Sequence, residues 1–296
     1  MTSLTMKKVI VVGEHGYVST TFQKYIREQK KDMTLTVISS RDHKWEQVDF
    51  HGYDAVFNAS GLAHTNAKQG TEQDYMDVNG RLPGELARKA KREGVKIFVS
   101  ISSNIVYGDF ADIGTPFLIS DKTEPKPTGI YGRSKILGEQ TAFAEETDDF
   151  HVAVIRPPLI YGETAPGNFA LLAKFALRTP IFPDIYNEQS MIYIDNLCEL
   201  IYLIIENNDR GMFYPQEREY IHTCQLVHDI ARAAGHSIWM TKLFNPLLKL
   251  GSPYLRFIQR SMGNMAYVKE ISGHYDWKYI VVPYEESVRR IAEMYR

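Results

Sequence analysis

Residues 9–12, VIVV, are a short run of apolar, mostly branched side chains. Such a run without polar alternation predicts a strand buried on both faces of a parallel sheet. Residues 17–30 follow with Val18, Phe22 and Ile26 at i, i+4 and i+8, the apolar stripe of a helix. Further short apolar runs at 35–38, 54–57, 95–101 and 152–155 read as strands. Residues 82–92 and 132–146 read as helices between them. Strands alternating with helices of ten or more residues predict βαβ units and a mainly parallel sheet. The alternation weakens after Tyr161, where Pro and Gly punctuate 165–167 and 179–183. A helix at 195–207 and a strand at 212–214 return to it. From about residue 223 the pattern is mostly helical and rich in aromatics.

Composition narrows the class. The 296 residues are 44% hydrophobic and 24% charged, in the range of a globular protein with a sizeable core. The net charge of −2 gives no global pull towards nucleic acid or membranes. Locally, residues 241–260 hold Lys242, Lys249, Arg256 and Arg260 and no acid. Cys198 and Cys224 are spaced neither for a disulfide framework nor for a zinc site, and no metal site is expected. The longest apolar segment, 197–205, is interrupted by Glu199 and falls far short of the ~20 residues a membrane helix needs. The N-terminus runs into the first strand without a secretory apolar region, so a cytoplasmic setting is expected.

Two motifs carry chemistry. Gly13 and Gly16 directly follow the first strand and precede an amphipathic helix. That placement lets backbone N–H groups and a helix N-terminus approach a pyrophosphate. A third glycine would ordinarily let helix and strand pack closely, and Ser19 stands in its place. Taken alone, the loop also reads as a plain strand-to-helix turn. The second motif is "GIYGRSK", with Tyr131 and Lys135 at i and i+4 on one helical face. An ammonium beside the phenol is expected to lower the tyrosine pKa from about 10 and make it an acid or base usable near neutral pH; as a bare pattern the pair also reads as a surface Tyr and Lys. Upstream, "SISSNIVYG" supplies Ser103, whose hydroxyl can bond a substrate oxygen.

Together with "VVGEHGYV", "DAVFNASG", "YMDVNG", "VIRPPLIYG", "GNF" and "MIYIDNL", these motifs resemble the extended short-chain dehydrogenase/reductases. That is the epimerase, dehydratase and reductase group acting on nucleotide sugars. The resemblance runs over nearly the whole chain. It implies an α/β fold: a Rossmann-type doubly wound parallel sheet with a smaller, mostly helical C-terminal lobe. Residues 1–162 and 190–222 would form the dinucleotide domain, and 163–189 with 223–296 the substrate lobe. Ser103, Tyr131 and Lys135 match the catalytic triad. Gly13, Gly16, Tyr17 and Val18 match the pyrophosphate loop. Asp49 and Phe50 would lie near adenine, and Ala59, Ser60 and Gly61 would line the cofactor. Pro157, Pro158 and Leu159 would border the nicotinamide. Asn168 matches a substrate-phosphate contact, with His64, Asn104 and Gln189 as further substrate-side residues. A homodimer through the helices at 82–92 and 131–146 is implied as well.

Three departures choose among members of the group. Dehydratases carry an acidic pair after the catalytic Ser or Thr, whereas Asn104 and Ile105 follow Ser103. A NAD enzyme normally places a carboxylate at the end of the second strand for the ribose 2′-hydroxyl. Here Ser39, Ser40 and Arg41 come first and Asp42 only after them, and Arg41 suits a 2′-phosphate. NADP is therefore favoured, with NAD possible. Similar reductases carry Arg where this chain has Gln189, so a pyrophosphate-binding charge would come from elsewhere, such as Arg256 or Arg260. The basic stretch also reads as a solvated helical face or as attachment to an anionic membrane surface. The narrower likeness, in "RPPLIYGETAPGNF" and "PIFPDIYNEQSMIYIDNL", is to capsule and O-antigen reductases of UDP-4-keto-6-deoxy-N-acetylhexosamines. The expectation is thus an NADPH-dependent reductase of such a UDP-sugar in surface polysaccharide synthesis. A 4-epimerase of a UDP-hexose or UDP-N-acetylhexosamine stays open, as does a non-catalytic redox sensor on the same fold.

Overall fold

The computed structural model of the chain describes residues 6–41, 43–62, 70–252 and 254–294. In chain order the first half runs β1 (Lys7–Val12), α1 (Tyr17–Glu28), β2 (Met33–Ile38), β3 (Ala55–Asn58), α2 (Glu72–Tyr75), α3 (Leu82–Arg92), β4 (Ile97–Ile101), β5 (Leu118–Ile119) and α4 (Ile130–Phe143). The second half runs β6 (His151–Ile155), β7 (Leu159–Tyr161), α5 (Asn168–Arg178), β8 (Ile181–Pro183), β9 (Met191–Tyr193), α6 (Ile194–Asn207), β10 (Gly211–Phe213), α7 (Thr223–Ala233), β11 (Trp239–Thr241), α8 (Asn245–Gly251), α9 (Arg256–Met262), β12 (Ala266–Tyr267) and α10 (Tyr284–Met294).

Two compact units divide the chain. The first comprises 1–108, 125–157 and 197–213. Its six strands form one sheet in the order β10-β6-β4-β3-β1-β2, every neighbouring pair parallel. Val9 to Val12 and Ala55 to Phe57 are fully buried, as expected for strands covered on both faces. From β1 the chain steps to β2 on one side, then returns past β1 to build β3, β4, β6 and β10 on the other. The order therefore reverses between β1 and β3, and ligands of such sheets bind beyond the strand ends at that point. The expected Rossmann-type fold is what the chain adopts.

The second unit comprises 109–124, 158–196 and 214–296. It has three two-stranded parallel pairs, β5 with β12, β7 with β9 and β8 with β11. Helix α7 packs on α5 and α10. Residues 109–124, expected from the resemblance in the dinucleotide domain, cluster here, where β5 pairs with β12, and so do residues 214–222. Residues 158–162 and 190–196 do so through β7 and β9. The expected mostly helical C-terminal region also contains the short strands β11 and β12. Strands of two or three residues are too short to carry a readable period.

Candidate functional site

The β1–α1 turn is built from its glycines. Gly13 has φ +110°, a backbone region open to glycine and costly for other residues. A Cβ there would stand 3.0 Å from the Ser60 backbone nitrogen, so the loops after β1 and β3 meet at the switch point. Gly16 caps α1 without any side-chain cap, and the first turn, with half-buried Tyr17 and Val18, holds no acid. A helix N-terminus without a side-chain cap is suited to an anionic acceptor. Ser19 is fully buried and its hydroxyl accepts from Gln23 at 3.3 Å. The helix tolerates the extra atom where a third glycine was expected.

A cleft of about 790 Å³ opens beside this turn. Gly13, Gly16, Ser39, Arg41, Ala59, Ser60 and Gly61 line it, as does Arg81, which is ion-paired to Asp77. Arg41 is exposed, and its N–H donates to Ser39 Oγ at 3.2 Å. Asn58 Oδ1 accepts from both the N–H (3.1 Å) and the hydroxyl (2.5 Å) of Ser60, fixing the loop after β3. The N-terminus of α1, a turn with glycine at both ends and a cation just past β2 fit a phosphate-bearing dinucleotide, although Glu14 of the turn and Glu85 also line the cleft. Asp49 and Phe50 are not among the lining residues. Phe50 is fully buried and its N–H is taken by Glu93 at 2.8 Å, while Asp49 bonds His51. Asp49, His51 and Glu93 could also offer ligand atoms to a metal ion, within 4.8 Å of one another. Their polar atoms already serve these bonds and Lys89.

Ser103 caps the short 3₁₀ turn after β4, its Oγ accepting from Ile105 N–H at 3.3 Å. A hydrogen bond joins its side chain to Tyr131, in the first turn of α4. Burial pushes the Tyr131 phenol up to about 12; the Ser103 bond lowers it and nearby Tyr75, edge-on to the ring at 6.4 Å, raises it. This corrects the expectation of a phenol acidified by its lysine. Lys135 Nζ lies 6.0 Å from the Tyr131 ring centroid and donates to the Ile101 carbonyl at 3.0 Å. Burial brings Lys135 down to about 8, and the Glu139 charge pulls it back up. Ser103, Tyr131 and Lys135 are thus brought together, with burial favouring the neutral phenol and disfavouring the charged ammonium.

Beneath it lies a network that the motifs did not announce. Glu139 is bound by Arg156 at 2.5 and 2.9 Å and by the Ser102 hydroxyl, and Arg156 donates to the Tyr107 hydroxyl at 2.6 Å. Asn79 is buried in a π-helical turn, Met76–Arg81, a conformation frequent at functional sites. It accepts from Leu62 N–H and donates to the Leu62 carbonyl and to Ser134. Its Oδ1 and Lys135 Nζ flank the same face of Gly61, 3.1 and 3.0 Å from where a Cβ would stand. A buried, carboxamide-bearing residue before Gly80 in "YMDVNG" was the one available signal.

The other named residues fall as follows. Asn104 is buried and its N–H donates to the Pro157 carbonyl at 3.1 Å. In the second unit, Pro158 precedes β7, Leu159 opens it, and half-buried Asn168 starts α5. Gln189 is 1% exposed, and its amide nitrogen donates to the carbonyls of Arg260 and Gly263 at 3.1 and 2.9 Å. Arg260 lies 3.9 Å from Asp109. His64, Asp42 and the side chain of Arg256 lie outside the described residues.

Comparison with known proteins places this arrangement. The UDP-glucose 4-epimerase of Vibrio cholerae is 25% identical over 92% of this chain and 90% of its own length. A dTDP-4-dehydrorhamnose reductase of Mycobacterium tuberculosis is 26% identical over 69% of this chain and 68% of its own. The fold matches the structure of RMD from Pseudomonas aeruginosa complexed with NADPH, with a TM-score of 0.70 at 16% identity over 98% of each chain. Residues 9–214 match the model of the NAD dependent epimerase/dehydratase family, a span that takes in the glycine turn, the Ser103–Tyr131–Lys135 set and, apart from Lys7 and Lys8 of β1, the six strands of the sheet. With more than half of its length matched, the chain belongs to that family, the extended short-chain dehydrogenase/reductases, and is an enzyme.

Proposed function

We propose that this enzyme reduces the 4-keto group of a UDP-4-keto-6-deoxy-N-acetylhexosamine with NADPH, in the synthesis of a surface polysaccharide. The observation that carries the reading is the hydrogen-bonded Ser103–Tyr131 pair at the end of β4, where burial favours the proton-bearing phenol. A keto-sugar reductase starts from a proton donor, whereas sugar oxidation starts from a proton acceptor. Asn104 and Ile105, following Ser103, offer no carboxyl for expelling water, which speaks against a dehydratase. Arg41 at the cleft speaks for NADPH.

The nicotinamide, when bound, supplies the hydride. Ser103 holds and polarises the carbonyl oxygen. Tyr131 gives its phenolic proton to that oxygen as negative charge develops. Lys135, charged below about pH 8, stabilises the phenolate left behind. Donors aimed at developing charge in a site shielded from water supply the larger part of such catalysis. Asn168 belongs to the substrate side in this reading, whereas buried Gln189 supports the loop at Arg260 and Gly263, and the enzyme works as a cytoplasmic homodimer. Among the described residues no helix is long and apolar enough to cross a membrane.

Full-length similarity to a UDP-glucose 4-epimerase supports a second reading, inversion at C4 of a UDP-hexose. Incubation with NADPH and a UDP-4-keto-6-deoxy-N-acetylhexosamine, followed by nicotinamide absorbance, separates the two. Stoichiometric loss of NADPH is expected. C4 inversion of UDP-glucose or UDP-N-acetylglucosamine without added cofactor, and no NADPH loss, would replace the reductase by the epimerase.

A further inference from the structure

Charge is unevenly shared along this chain. Residues 165–183 and 230–269 contain eight cations and no acid. Since the whole chain is at −2, the remaining residues carry ten more acids than cations. Both basic segments belong to the second unit. They are also where its apolar side chains lie open. Of fifteen exposed large apolar residues among those described, eight fall within 239–257 and two more on α5. Leu243, Leu247, Leu250 and Tyr254 are 71–83% exposed, and α8 buries none of its residues.

Residues 171–183 and 239–257 of these segments come together. Strand β11 pairs with β8, so that Trp239 stands beside Ile181. The Asn245 amide donates to the Asp184 carbonyl at 2.8 Å. Phe175 of α5 lies 6.5 Å, ring to ring, from Phe257 and 6.4 Å from Phe182. On α5 itself Leu171, Lys174, Phe175 and Arg178 are spaced i, i+3, i+4, i+7, and the last three share with Leu171 an outward exposed or half-exposed face. Acids reach this surface only from neighbouring elements. Asp184 is 3.9 Å from Lys242, Asp109 is 3.9 Å from Arg260, and Asp112 accepts from Ser252 and Gln259. Lys249 is exposed on α8 itself.

We propose that this surface docks on an anionic lipid bilayer, with the leucines of 243–250 entering the headgroup boundary and Trp239 and Tyr254 at its level. Apolar side chains interleaved with cations, in two segments that themselves hold no acid, match a surface that is apolar within and negative at its face. Tryptophan and tyrosine favour that interface, with one end apolar and the other wet. Lysines at 242 and 249 have stems long enough to lie along apolar surface while the ammonium meets a phosphate. Patches of this kind on a monomer ordinarily mark an interaction site, and the charge pattern selects the lipid.

The test is flotation of the purified full chain with two sets of vesicles, phosphatidylcholine alone and phosphatidylcholine with phosphatidylglycerol at about two to one. The protein is expected to float with the anionic vesicles only, to be released by high salt, and to show a blue shift of tryptophan emission that Trp239→Phe removes. Leu247→Ser and Leu250→Ser should each weaken binding about tenfold, and Lys242→Gln and Lys249→Gln about fivefold each. All four positions are exposed, so the variants should fold and keep their turnover. Failure to float, or equal flotation with neutral vesicles, overturns the proposal. So does a dimer in sedimentation velocity that Leu247→Ser dissociates while no vesicle binds, which would assign the face to a second copy of the chain.

Discussion

Glu139 lies one turn beyond Lys135 on α4, tied to Arg156 and Ser102, and its charge is what holds the buried ammonium up against desolvation. The sign of the pH dependence follows. Lys135 has a folded-state value of about 8, below its ordinary 10.5. The folded protein therefore bears the full cost of the buried cation below pH 8, and that cost fades as pH rises from about 8 towards 10.5. Activity runs the other way, because the charged form is the useful one. We expect kcat/KM to be level through neutral pH and to fall above about pH 8. In Glu139→Gln the falling limb should move to lower pH, and stability should drop by about 3–5 kcal/mol because Arg156 loses its buried partner. Lys135→Arg, which stays charged, should lack the limb altogether at a reduced rate. A limb unmoved in Lys135→Arg would show that another group titrates. Spacing in "YGRSK" made Tyr131 and Lys135 legible. It could not tell that the Nζ would turn to the Ile101 carbonyl, because that carbonyl arrives from another strand.

At the scale of elements, α4 lies against α3 and the π-helical turn with almost nothing between. A Cβ on Gly138 would meet the Asn79 carbonyl at 2.1 Å, and one on Gly84 would meet Thr141 at 2.6 Å. This contact presents Asn79 to Ser134 and sets Lys135 beneath Gly61. Gly138→Ala would ordinarily favour a helix by up to about 1 kcal/mol. Here it should destabilise by about 1–3 kcal/mol through overpacking against backbone, seen as a lower denaturant midpoint, and should cut turnover by displacing Lys135. An unchanged midpoint would mean that the helices stand further apart than described. The strands and helices of the first unit were legible from their periodicity. The π turn was not, since it uses the same residues as the start of an ordinary helix and differs only in one inserted position.

For the molecule as a whole, ligand binding is read in its melting. A cofactor that binds only the folded chain stabilises it by about 2.7 kcal/mol at a hundred times its Kd. NADPH should raise the melting temperature more than NADH at equal concentration. Arg41→Glu should reverse that order, since the substitution exchanges a partner of the 2′-phosphate for a partner of the 2′-hydroxyl. An unchanged order would remove Arg41 from the cofactor argument. Globally, the net charge of −2 conceals a basic, apolar surface on the second unit and an acidic excess elsewhere. A count over the whole chain excluded a general pull towards anionic surfaces, but left open a local one.

The sequence by itself determined the parallel α/β sheet and the glycine turn, which rest on local spacing, where period and side-chain type act over a few residues. Ser103, Tyr131 and Lys135 were singled out as a set by resemblance to a family's motifs. Only the tertiary structure decided the strand order that opens a cleft between β1 and β3 and the transfer of residues 109–124 to the second unit. It also decided the burial that raises the Tyr131 phenol and the join between α5 and residues 239–257. These depend on contacts between segments far apart in the chain and on how much water they exclude. No local pattern records either quantity.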